Sequence, residues 1–539
     1  MNEYDFIIVG AGSAGCILAS RLSEDGRHSV LLLEAGGKDD SFWFRLPVGY
    51  VNSYYNPASN WMYYTKAEPN LNGRTLYAPR GKVLGGSGSI NAMIYVRGQA
   101  SDFDDWAAAG NPGWSFKDVL PYFKRLERHP GGETRWRGGQ GAIGLSPLGP
   151  RAHPICADYL AACDELGLPR NPDFNGERFE GAGLYEANIE DGVRASSSRA
   201  YLRPALSRSN LRLETHCHAQ RILFDQGLRA CGVTVLQQGE ERTFVARKEV
   251  ILAAGAVDSP KLLQLSGIGD STRLAALGIP PLRHLPSVGR NLQDHLCASF
   301  YFKSRRKTLN DELGHPLRQA WAGLRYLASR SGPLSLSVNQ AGGFFRSDEQ
   351  AERANLQLYF NPLSYTIPNN PQARLKPEPY SGYLMCVNPC RPSSRGEVHI
   401  ETATPQTAPA IRPNYLATEH DLREAVAGCR LVRRLSASRA LRDITVEEVM
   451  PGEKQGDDDD SLLAFFRQEA GSIYHLCGTC AMGPDPERSV VSSRLQVHGV
   501  AGLRVIDASI FPNITSGNTN APTMMVAEKG ADMILEDWR

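Results

Sequence analysis

The sequence carries almost no net charge, and no run of basic residues interrupts its mixed composition. Its 59 Lys and Arg residues are balanced by 58 Asp and Glu residues, which leaves a formal charge of +1. Proteins that bind nucleic acid or an anionic surface by electrostatics need a cationic excess on one face. We therefore expect no nucleic acid partner, and the charge balance by itself gives no electrostatic argument for an anionic membrane.

Long apolar runs and a regular cysteine pattern are also missing. No stretch of 18 uninterrupted apolar residues is present, so we expect no transmembrane segment. The polar residues 1–5 leave no room for the apolar core of a secretory signal before the first predicted strand. The 11 cysteines are scattered and odd in number, as is typical of reduced thiols, and they predict no metal site. We expect a cytoplasmic protein, and peripheral contact with the inner face of a membrane remains open.

A glycine-rich turn near the N-terminus is the clearest motif that is present. An apolar strand at residues 6–9 runs into Gly10-Ala11-Gly12-Ser13-Ala14-Gly15, and a helical pattern follows at residues 16–22. A second apolar strand, residues 30–33, ends on Glu34. This order of strand, G-x-G-x-x-G turn, helix, strand and acid is typical of a dinucleotide-binding βαβ unit.

Each glycine of this turn has a physical reason in that setting. Gly10 permits the tight turn, Gly12 lets backbone N–H groups approach a pyrophosphate, and Gly15 lets the helix pack against the strand. The pyrophosphate then lies at a helix N-terminus, which favours an anion. Glu34 can accept a hydrogen bond from a ribose hydroxyl, and its charge disfavours a 2′-phosphate. The sequence therefore predicts a bound dinucleotide.

The 539 residues exceed the size at which one hydrophobic core stops growing, so two domains or more are expected. Signals for a cofactor domain fall into the separate segments 1–155, 195–299 and 466–539. Segments 156–194 and 300–465 differ, because they carry alternating strands at 355–360 and 396–400 and amphipathic stretches at 317–327 and 422–435. We predict an α/β fold, α+β as a whole, with a discontinuous Rossmann-like domain and a substrate-binding domain whose antiparallel sheet is covered by helices.

Several long motifs resemble the glucose-methanol-choline (GMC) family of flavin-dependent oxidoreductases, in the branch of bacterial alcohol and choline dehydrogenases. The similarity covers nearly the whole chain, and the motifs that carry it beyond the glycine turn are residues 80–93, 255–269, 288–295, 474–482 and 518–528. The resemblance implies FAD as cofactor. It implies a cofactor site formed by Gly10, Gly12, Ser13, Ala14, Gly15, Glu34, Ala35, Gly86, Ser87, Asn91, Ala92, Met93, Ala219, Asp507, Ala508, Asn520, Pro522 and Thr523.

The same resemblance indicates which residues perform the chemistry. His475 corresponds to the family's base that faces the flavin, and Asn520 to the second member of the pair, which is His or Asn in relatives. An imidazole with a pKa of about 6.5 is neutral enough at neutral pH to take a hydroxyl proton. Asn520 would orient the hydroxyl, and a helix starting at Pro522 with Asn520 as its cap would direct its dipole at the flavin. The alternative is a buried histidine with a structural role.

The predicted reaction is the oxidation of a primary alcohol, aliphatic or aromatic, to the aldehyde. Choline is less favoured because Gln340 stands where a carboxylate for the trimethylammonium group is expected. A flavin-containing lyase or photodecarboxylase is the other alternative, and the segment 390–392 resembles that branch superficially. A nicotinamide-binding or non-catalytic flavoprotein is a third. The electron acceptor is either O2 or a quinone-like carrier, and the residues predicted to line the substrate pocket are Tyr63, Tyr64, Phe360, Asn361 and Tyr474.

Position 90 predicts how the flavin is attached. Some members of the family bind FAD covalently through a histidine just before the asparagine of the first motif, and this chain has Ile90 there. We therefore expect a noncovalent flavin, and denaturing the purified protein should release a yellow chromophore into the supernatant. Colour that remains with the precipitate would contradict this expectation.

Overall fold

The computed structural model describes residues 2–366, 375–452 and 455–539, and two large sheets organise them. The first sheet is mostly parallel at its centre and antiparallel at one side. Its seven strands are Glu3–Val9, Val30–Leu33, Leu211–Glu214, Cys217–Phe224, Ala230–Gln237, Glu240–Leu252 and Leu503–Val505.

The centre of this sheet follows from three apolar runs. Residues 6–9, 30–33 and 250–252 are buried at every position, as is typical of parallel strands that are covered on both faces. Ile8 pairs with Leu32 on one side and with Ile251 on the other. The carboxyl ends of the three strands therefore meet at one edge, where a ligand of an α/β sheet binds.

The second sheet is antiparallel, as predicted for the substrate-binding segments. Its strands, in spatial order, are Thr445–Met450, Leu296–Ser304, Gly382–Pro389, Leu356–Asn361, Ala341–Phe345 and Gly181–Leu184, with Gly471–Ser472 pairing to Leu296–Ser304. Helices Glu419–Ala437, Asp459–Glu469 and Ile155–Glu165 contribute buried side chains to the core of this sheet. The amphipathic stretch at 422–435 is thus a covering helix.

The division into domains stays a prediction, and two strands lie across its boundaries. Leu296–Ser304 spans the boundary predicted between residues 299 and 300. Gly471–Ser472 belongs to the segment assigned to the cofactor domain, yet it pairs with that strand of the second sheet. A segment that was assigned to the cofactor domain thus contributes a strand to the second sheet.

Smaller elements complete the fold. A three-stranded sheet contains Arg290–Leu292, Gly396–His399 and Ala410–Arg412. Short strand pairs are Tyr63–Tyr64 with Tyr77–Ala78, Glu127–Arg128 with Ile143–Gly144, Ser146–Pro147 with Glu186–Ala187, Ile189–Glu190 with Val193–Arg194, Ile268–Gly269 with Arg283–His284, and Tyr365–Thr366 with Lys376–Pro377. The remaining α-helices are Ser13–Leu22, Phe42–Arg45, Tyr50–Ser53, Ala100–Ala108, Phe116–Leu126, Arg203–Ala205, Gly255–Leu265, Ser271–Ala276, Leu309–Leu313, Pro316–Ser329, Arg439–Ile444 and Asn520–Asp537.

The amphipathic stretch at 317–327 differs from its prediction as a covering helix. It forms the helix Pro316–Ser329, but Leu317 and Leu327 are exposed and only Ala322 and Tyr326 are buried. Its apolar stripe faces away from the sheet. In the described parts of the chain, no helix combines the length and the apolar character needed to cross a membrane.

The contact between Gly15 and the glycine turn predicts a stability difference between two helical glycines. A Cβ at Gly15 would lie 1.8 Å from the carbonyl oxygen of Gly10, whereas a Cβ at Gly323 meets no atom within 4 Å. Gly15→Ala should force the helix off the strand, at a cost of about 1–3 kcal/mol or more, and should reduce flavin content. Gly323→Ala, the matched control, should be stabilising by about 0.5–1 kcal/mol. Equal unfolding temperatures for the two holoproteins would contradict this packing.

Candidate active site

A cavity of about 1280 Å³ runs from the glycine turn to the segment that contains His475. Most of the residues predicted for the site line it. They are Gly10, Gly12, Ser13, Ala14, Glu34, Ala35, Tyr64, Gly86, Ser87, Asn91, Ala92, Met93, Ala219, Asn361, Tyr474, His475, Asp507, Ala508, Asn520 and Thr523.

Four predicted residues lie elsewhere. Gly15 is beneath the turn, and Pro522 is buried as the third residue of its helix. Phe360 is fully buried in the core of the second sheet and stacks on Tyr159, so it does not belong to the substrate pocket. Tyr63 is buried as well, and its hydroxyl donates to Asp258 at 2.8 Å. Consecutive residues of a strand face opposite sides of its sheet. Tyr64 and Asn361, which directly follow Tyr63 and Phe360, therefore line the cavity in their place.

The glycines form a cradle that fits a pyrophosphate. A Cβ at Gly86 would lie 2.7 Å from the Cα of Gly12, so two backbones meet there with no space for side chains. The helix Ser13–Leu22 has neither a side-chain cap nor an acid in its first turn. Its N–H groups are therefore available to an anion at the cavity. These features are what an FAD site requires.

Glu34 is positioned for the adenosine end of such a cofactor. Its two carboxylate oxygens accept hydrogen bonds from the backbone N–H groups of Ala11 and Gly36, at 3.0 and 2.7 Å. Burial raises the pKa of Glu34 to about 7, although both hydrogen bonds act in the opposite direction. The acid is therefore held in one orientation at the cavity wall.

Asn91 is oriented by a buried arginine. Its Oδ1 accepts hydrogen bonds from Arg194 Nη1 at 2.7 Å and from the N–H of Met93 at 3.0 Å, which leaves its NH2 group to face the cavity. Arg194 is 2% exposed and forms no ion pair with any residue that the structure describes. Burial lowers the pKa of Arg194 to about 9. A positive charge thus lies behind this wall of the cavity, where it favours an anionic group.

A short backbone ladder positions His475. Gln293 and Cys477 exchange N–H to carbonyl hydrogen bonds at 3.1 and 3.0 Å, and the N–H of Ile473 donates to the carbonyl of His295. Between these pairs, the N–H of His475 donates to Asp294 Oδ1 at 2.7 Å. The preceding residue, Tyr474, adopts a left-handed conformation with φ of 70°. This constrained backbone brings the side chains of His295 and His475 together.

The two imidazoles form a hydrogen-bonded row with defined donors. His295 Nε2 lies 2.7 Å from the carbonyl oxygen of Cys390, which can only accept, so Nε2 carries the proton. In the neutral ring Nδ1 of His295 is then an acceptor, and it lies 2.9 Å from Nδ1 of His475. His475 Nδ1 must therefore donate, and its Nε2 is left with a lone pair. The carbonyl of Cys390 thus determines which nitrogen of His475 is free to act as a base.

The carboxamide beside this lone pair is that of Asn518, not that of Asn520. Asn518 Nδ2 lies 3.1 Å from His475 Nε2, and both residues line the cavity. Asn520 Oδ1 instead accepts a hydrogen bond from Ser13 Oγ at 2.7 Å, which places Asn520 at the glycine turn. The helix begins at Asn520 with Thr519 as N-cap, so Asn520 is not the cap that was expected.

Burial determines the charge state of the histidine row. Desolvation lowers the pKa of His475 well below its ordinary value, and the neighbouring His295 and Arg80 act in the same direction. Burial also lowers the pKa of His295 to about 4. Both rings are therefore neutral at neutral pH, which is the state that a general base requires.

The wall around the substrate end of the cavity is rich in tyrosine. The tyrosines that line the cavity are Tyr50, Tyr54, Tyr55, Tyr64, Tyr77, Tyr301, Tyr359, Tyr365, Tyr380 and Tyr474. Tyr54 and Tyr474 form a hydrogen bond between their hydroxyls. Glu378 also lines the cavity and accepts a hydrogen bond from Thr366 at 2.5 Å. Aromatic faces and a carboxylate are thus both present there.

Two sequence arguments about the substrate are corrected by this geometry. Gln340 does not line the cavity, because its side chain is buried and accepts a hydrogen bond from the N–H of His153 at 2.6 Å. The residue at position 340 therefore says nothing about choline, and its neighbour Asn339 is the one at the cavity. Cys390 and Arg391 lie outside this cavity as well, and Arg391 lines a separate pocket of about 410 Å³.

The fold, the cradle and the histidine site define an FAD-dependent oxidoreductase that acts on alcohols. Family models described as GMC oxidoreductase match residues 4–297 and 392–527. The chain therefore belongs to the GMC oxidoreductase family, whose members bind FAD.

Similar proteins cover nearly the whole chain. Human mitochondrial choline dehydrogenase is 41% identical over 541 residues, which is 99% of this chain and 90% of that protein. Oxygen-dependent choline dehydrogenase of Vibrio vulnificus is 42% identical over 537 residues, covering 99% and 94%. Among solved structures, pyridoxine 4-oxidase from Mesorbium loti has a TM-score of 0.88 at 29% identity and covers 98% of both chains. A variant of Aspergillus oryzae formate oxidase has a TM-score of 0.91 at 26% identity, covering 99% and 98%.

Sequence reasoning did not assign roles to four residues of this site. They are His295, Asp294, Asn518 and Arg194. The first three stand inside motifs that carry the family resemblance, so a histidine and an acid at the end of residues 288–295 were an available signal. Arg194 gave no signal, because its burial beside Asn91 depends on tertiary packing.

The lowered pKa of His475 predicts the acid limb of the pH profile. A base whose pKa lies below its ordinary value stays neutral to lower pH, so the limb that reports His475 moves to lower pH. With flavin bound, the rate of anaerobic flavin reduction at low alcohol concentration should not fall as pH decreases through about 6.5. Stopped-flow measurements across pH test this. The assignment would be contradicted if the wild-type rate fell with an apparent pKa at or above that value and this fall were absent in His475 variants.

Proposed function

We propose that this protein oxidises a primary alcohol to the aldehyde at the pair formed by His475 and Asn518. The observation that carries the proposal is the lone pair on His475 Nε2, which faces the cavity beside a carboxamide donor. Flavin chemistry alone leaves the hydroxyl proton without an acceptor. His475 Nε2 supplies this proton acceptor in a buried site, where little water competes for the proton.

Each residue of the site has a separate role in the oxidation of the alcohol. Bound FAD supplies the acceptor for the hydride that leaves the carbinol carbon. His475 Nε2 takes the hydroxyl proton, and the NH2 group of Asn518 donates to the same oxygen and holds it in place. The carboxamide of Asn518 is held in the orientation that allows this, because its Oδ1 accepts a hydrogen bond from the side-chain Nε2 of Gln357 at 3.4 Å. His475 then carries the proton and can share its positive charge with His295 through the bond between their Nδ1 atoms.

Two substrate classes fit the cavity, and each has an observation in its favour. Neutral primary alcohols, aliphatic or aromatic, suit a wall of tyrosines that offers both aromatic faces and hydroxyls. Choline is the second candidate. Relatives named as choline dehydrogenases are 41% and 42% identical to this chain, and the tyrosines together with Glu378 offer the aromatic and anionic groups that a quaternary ammonium prefers.

The electron acceptor is proposed to be a quinone-like carrier, with O2 as the alternative. The overall pattern of the sequence, close to that of bacterial alcohol and choline dehydrogenases, supports the carrier. Several bacterial relatives, the one from Vibrio vulnificus among them, are named as oxygen-dependent, which supports the alternative. Reoxidation of reduced protein by air and by a soluble quinone, compared at equal concentration, separates the two.

Substitutions at three positions test the proposed roles. His475→Ala should slow anaerobic bleaching of the flavin by roughly a hundredfold or more, because the proton has no acceptor. Asn518→Ala should slow it by about a hundredfold through the lost donor. Asn520→Ala should chiefly lower the flavin content through the lost contact with Ser13, with a smaller change in the rate per bound flavin.

A panel of choline and neutral primary alcohols, mixed anaerobically with each variant, provides the readout. Flavin absorbance after gel filtration reports cofactor content separately from the bleaching rate. Bleaching by none of these alcohols would refute the proposed reaction. Unchanged bleaching in the His475 variant would remove that residue from its role, and a larger rate loss at Asn520 than at Asn518 would reverse our assignment of the carboxamide.

A further inference from the structure

The helix Pro316–Ser329 presents an unusual apolar surface to solvent. Leu317, Trp321, Leu324 and Leu327 are 77%, 70%, 60% and 70% exposed. They recur every three or four residues and so form one stripe along the helix. The buried residues of the helix, Ala322 and Tyr326, lie on the opposite face. Isolated exposed leucines are common, but a continuous stripe of this size marks an interaction surface.

A neighbouring helix carries two more exposed apolar side chains. Phe42 and Trp43, at the start of the helix Phe42–Arg45, are 44% and 46% exposed. The ring of Phe42 lies 6.0 Å from that of Tyr326, so the two helices are adjacent. We call the six exposed side chains Phe42, Trp43, Leu317, Trp321, Leu324 and Leu327 the apolar patch.

The charges around the apolar patch are mainly positive. No Asp or Glu occurs in residues 313–330, which form the helix and its two ends, whereas these residues include Arg318, Arg325 and Arg330. Within the part of the chain that the structure describes, these three arginines form no ion pair; Arg318 donates only to a backbone carbonyl and Arg325 to a serine hydroxyl. The acids nearest along the chain are Asp39 and Asp40, before Phe42, and both of them pair with Arg203. Asp311 and Glu312 precede the helix Pro316–Ser329.

From this combination we propose that the apolar patch docks on the surface of a bilayer that contains anionic lipids. Helices that lie in a membrane interface have large apolar residues, tryptophan included, on one face and free cations beside them. Here the cations are concentrated on the segment that carries the patch, so the net charge of +1 for the whole chain did not indicate them. A second copy of the chain is the other possible occupant, and it would place these unpaired arginines opposite a patch whose adjacent acids, Asp39 and Asp40, are already paired with Arg203. The charge complementarity favours the lipid.

Vesicle sedimentation with the flavin-loaded protein tests the proposal. The probes are phosphatidylcholine vesicles with and without phosphatidylglycerol. Wild-type protein should bind the anionic vesicles more strongly, and added salt should weaken the binding. The double variant Trp321→Ser with Leu324→Ser should partition about tenfold less or lower, because two large apolar groups no longer enter the interface. Since both side chains are mostly exposed, the fold and the flavin content should be retained.

Two further variants make the result specific. Leu282→Ser removes a leucine that is 50% exposed but lies outside the patch, and it should bind as the wild type does. Arg318→Gln with Arg325→Gln should reduce binding to anionic vesicles selectively. The proposal is overturned if wild-type protein binds neither kind of vesicle, or if the serine variant binds as well as the wild type. It is also overturned if sedimentation velocity shows a wild-type dimer that the serine substitutions dissociate, because the patch is then a protein interface.

Discussion

The carbonyl oxygen of Cys390 accepts a hydrogen bond from His295 Nε2, and the orientation of both imidazoles in the site depends on that contact. Because a carbonyl cannot donate, the direction of every hydrogen bond in the row is determined as far as His475 Nε2. The backbone ladder between the segment ending at His295 and the segment containing His475 holds the rings at this spacing. That ladder continues into the pairing of Leu296–Ser304 with Gly471–Ser472, so the second sheet supports the base directly. The chemistry of the site is thus a consequence of strand pairing.

The cofactor half of the molecule could be predicted from the sequence because its signals are local. A strand, a glycine turn, a helix and an acid follow one another within the first 34 residues, and each step has a steric or electrostatic cause. Gly15 illustrates this, since its contact with Gly10 is inherent in the motif. His475 could be placed at the cavity by resemblance alone, and the structure brings it there.

The cavity-lining residues of the substrate-binding half could not be predicted reliably, for a geometric reason. Along an extended segment consecutive side chains face opposite sides, so an error of one residue exchanges a wall residue for a core residue. Phe360 is in the core and Asn361 lines the cavity, and Gln340 and Asn339 differ in the same way. Helical and turn segments pose a related problem, because no spacing rule tells which of two nearby carboxamides reaches His475. Periodicity likewise reveals an apolar helix face at residues 317–327 but not what that face contacts.

The hydrogen bond between Ser13 and Asn520 joins two residues that are 507 positions apart in the chain. The strand Leu503–Val505 also enters the first sheet from the far end of the sequence, beside Glu240–Leu252. During synthesis the glycine turn therefore leaves the ribosome long before the residues that close over it. Because domains fold as their segments emerge, we expect a nascent chain to retain FAD only after residues 503–520 have been made. A chain cut before residue 503 should consequently yield a colourless polypeptide, even though every residue of the nucleotide turn is intact.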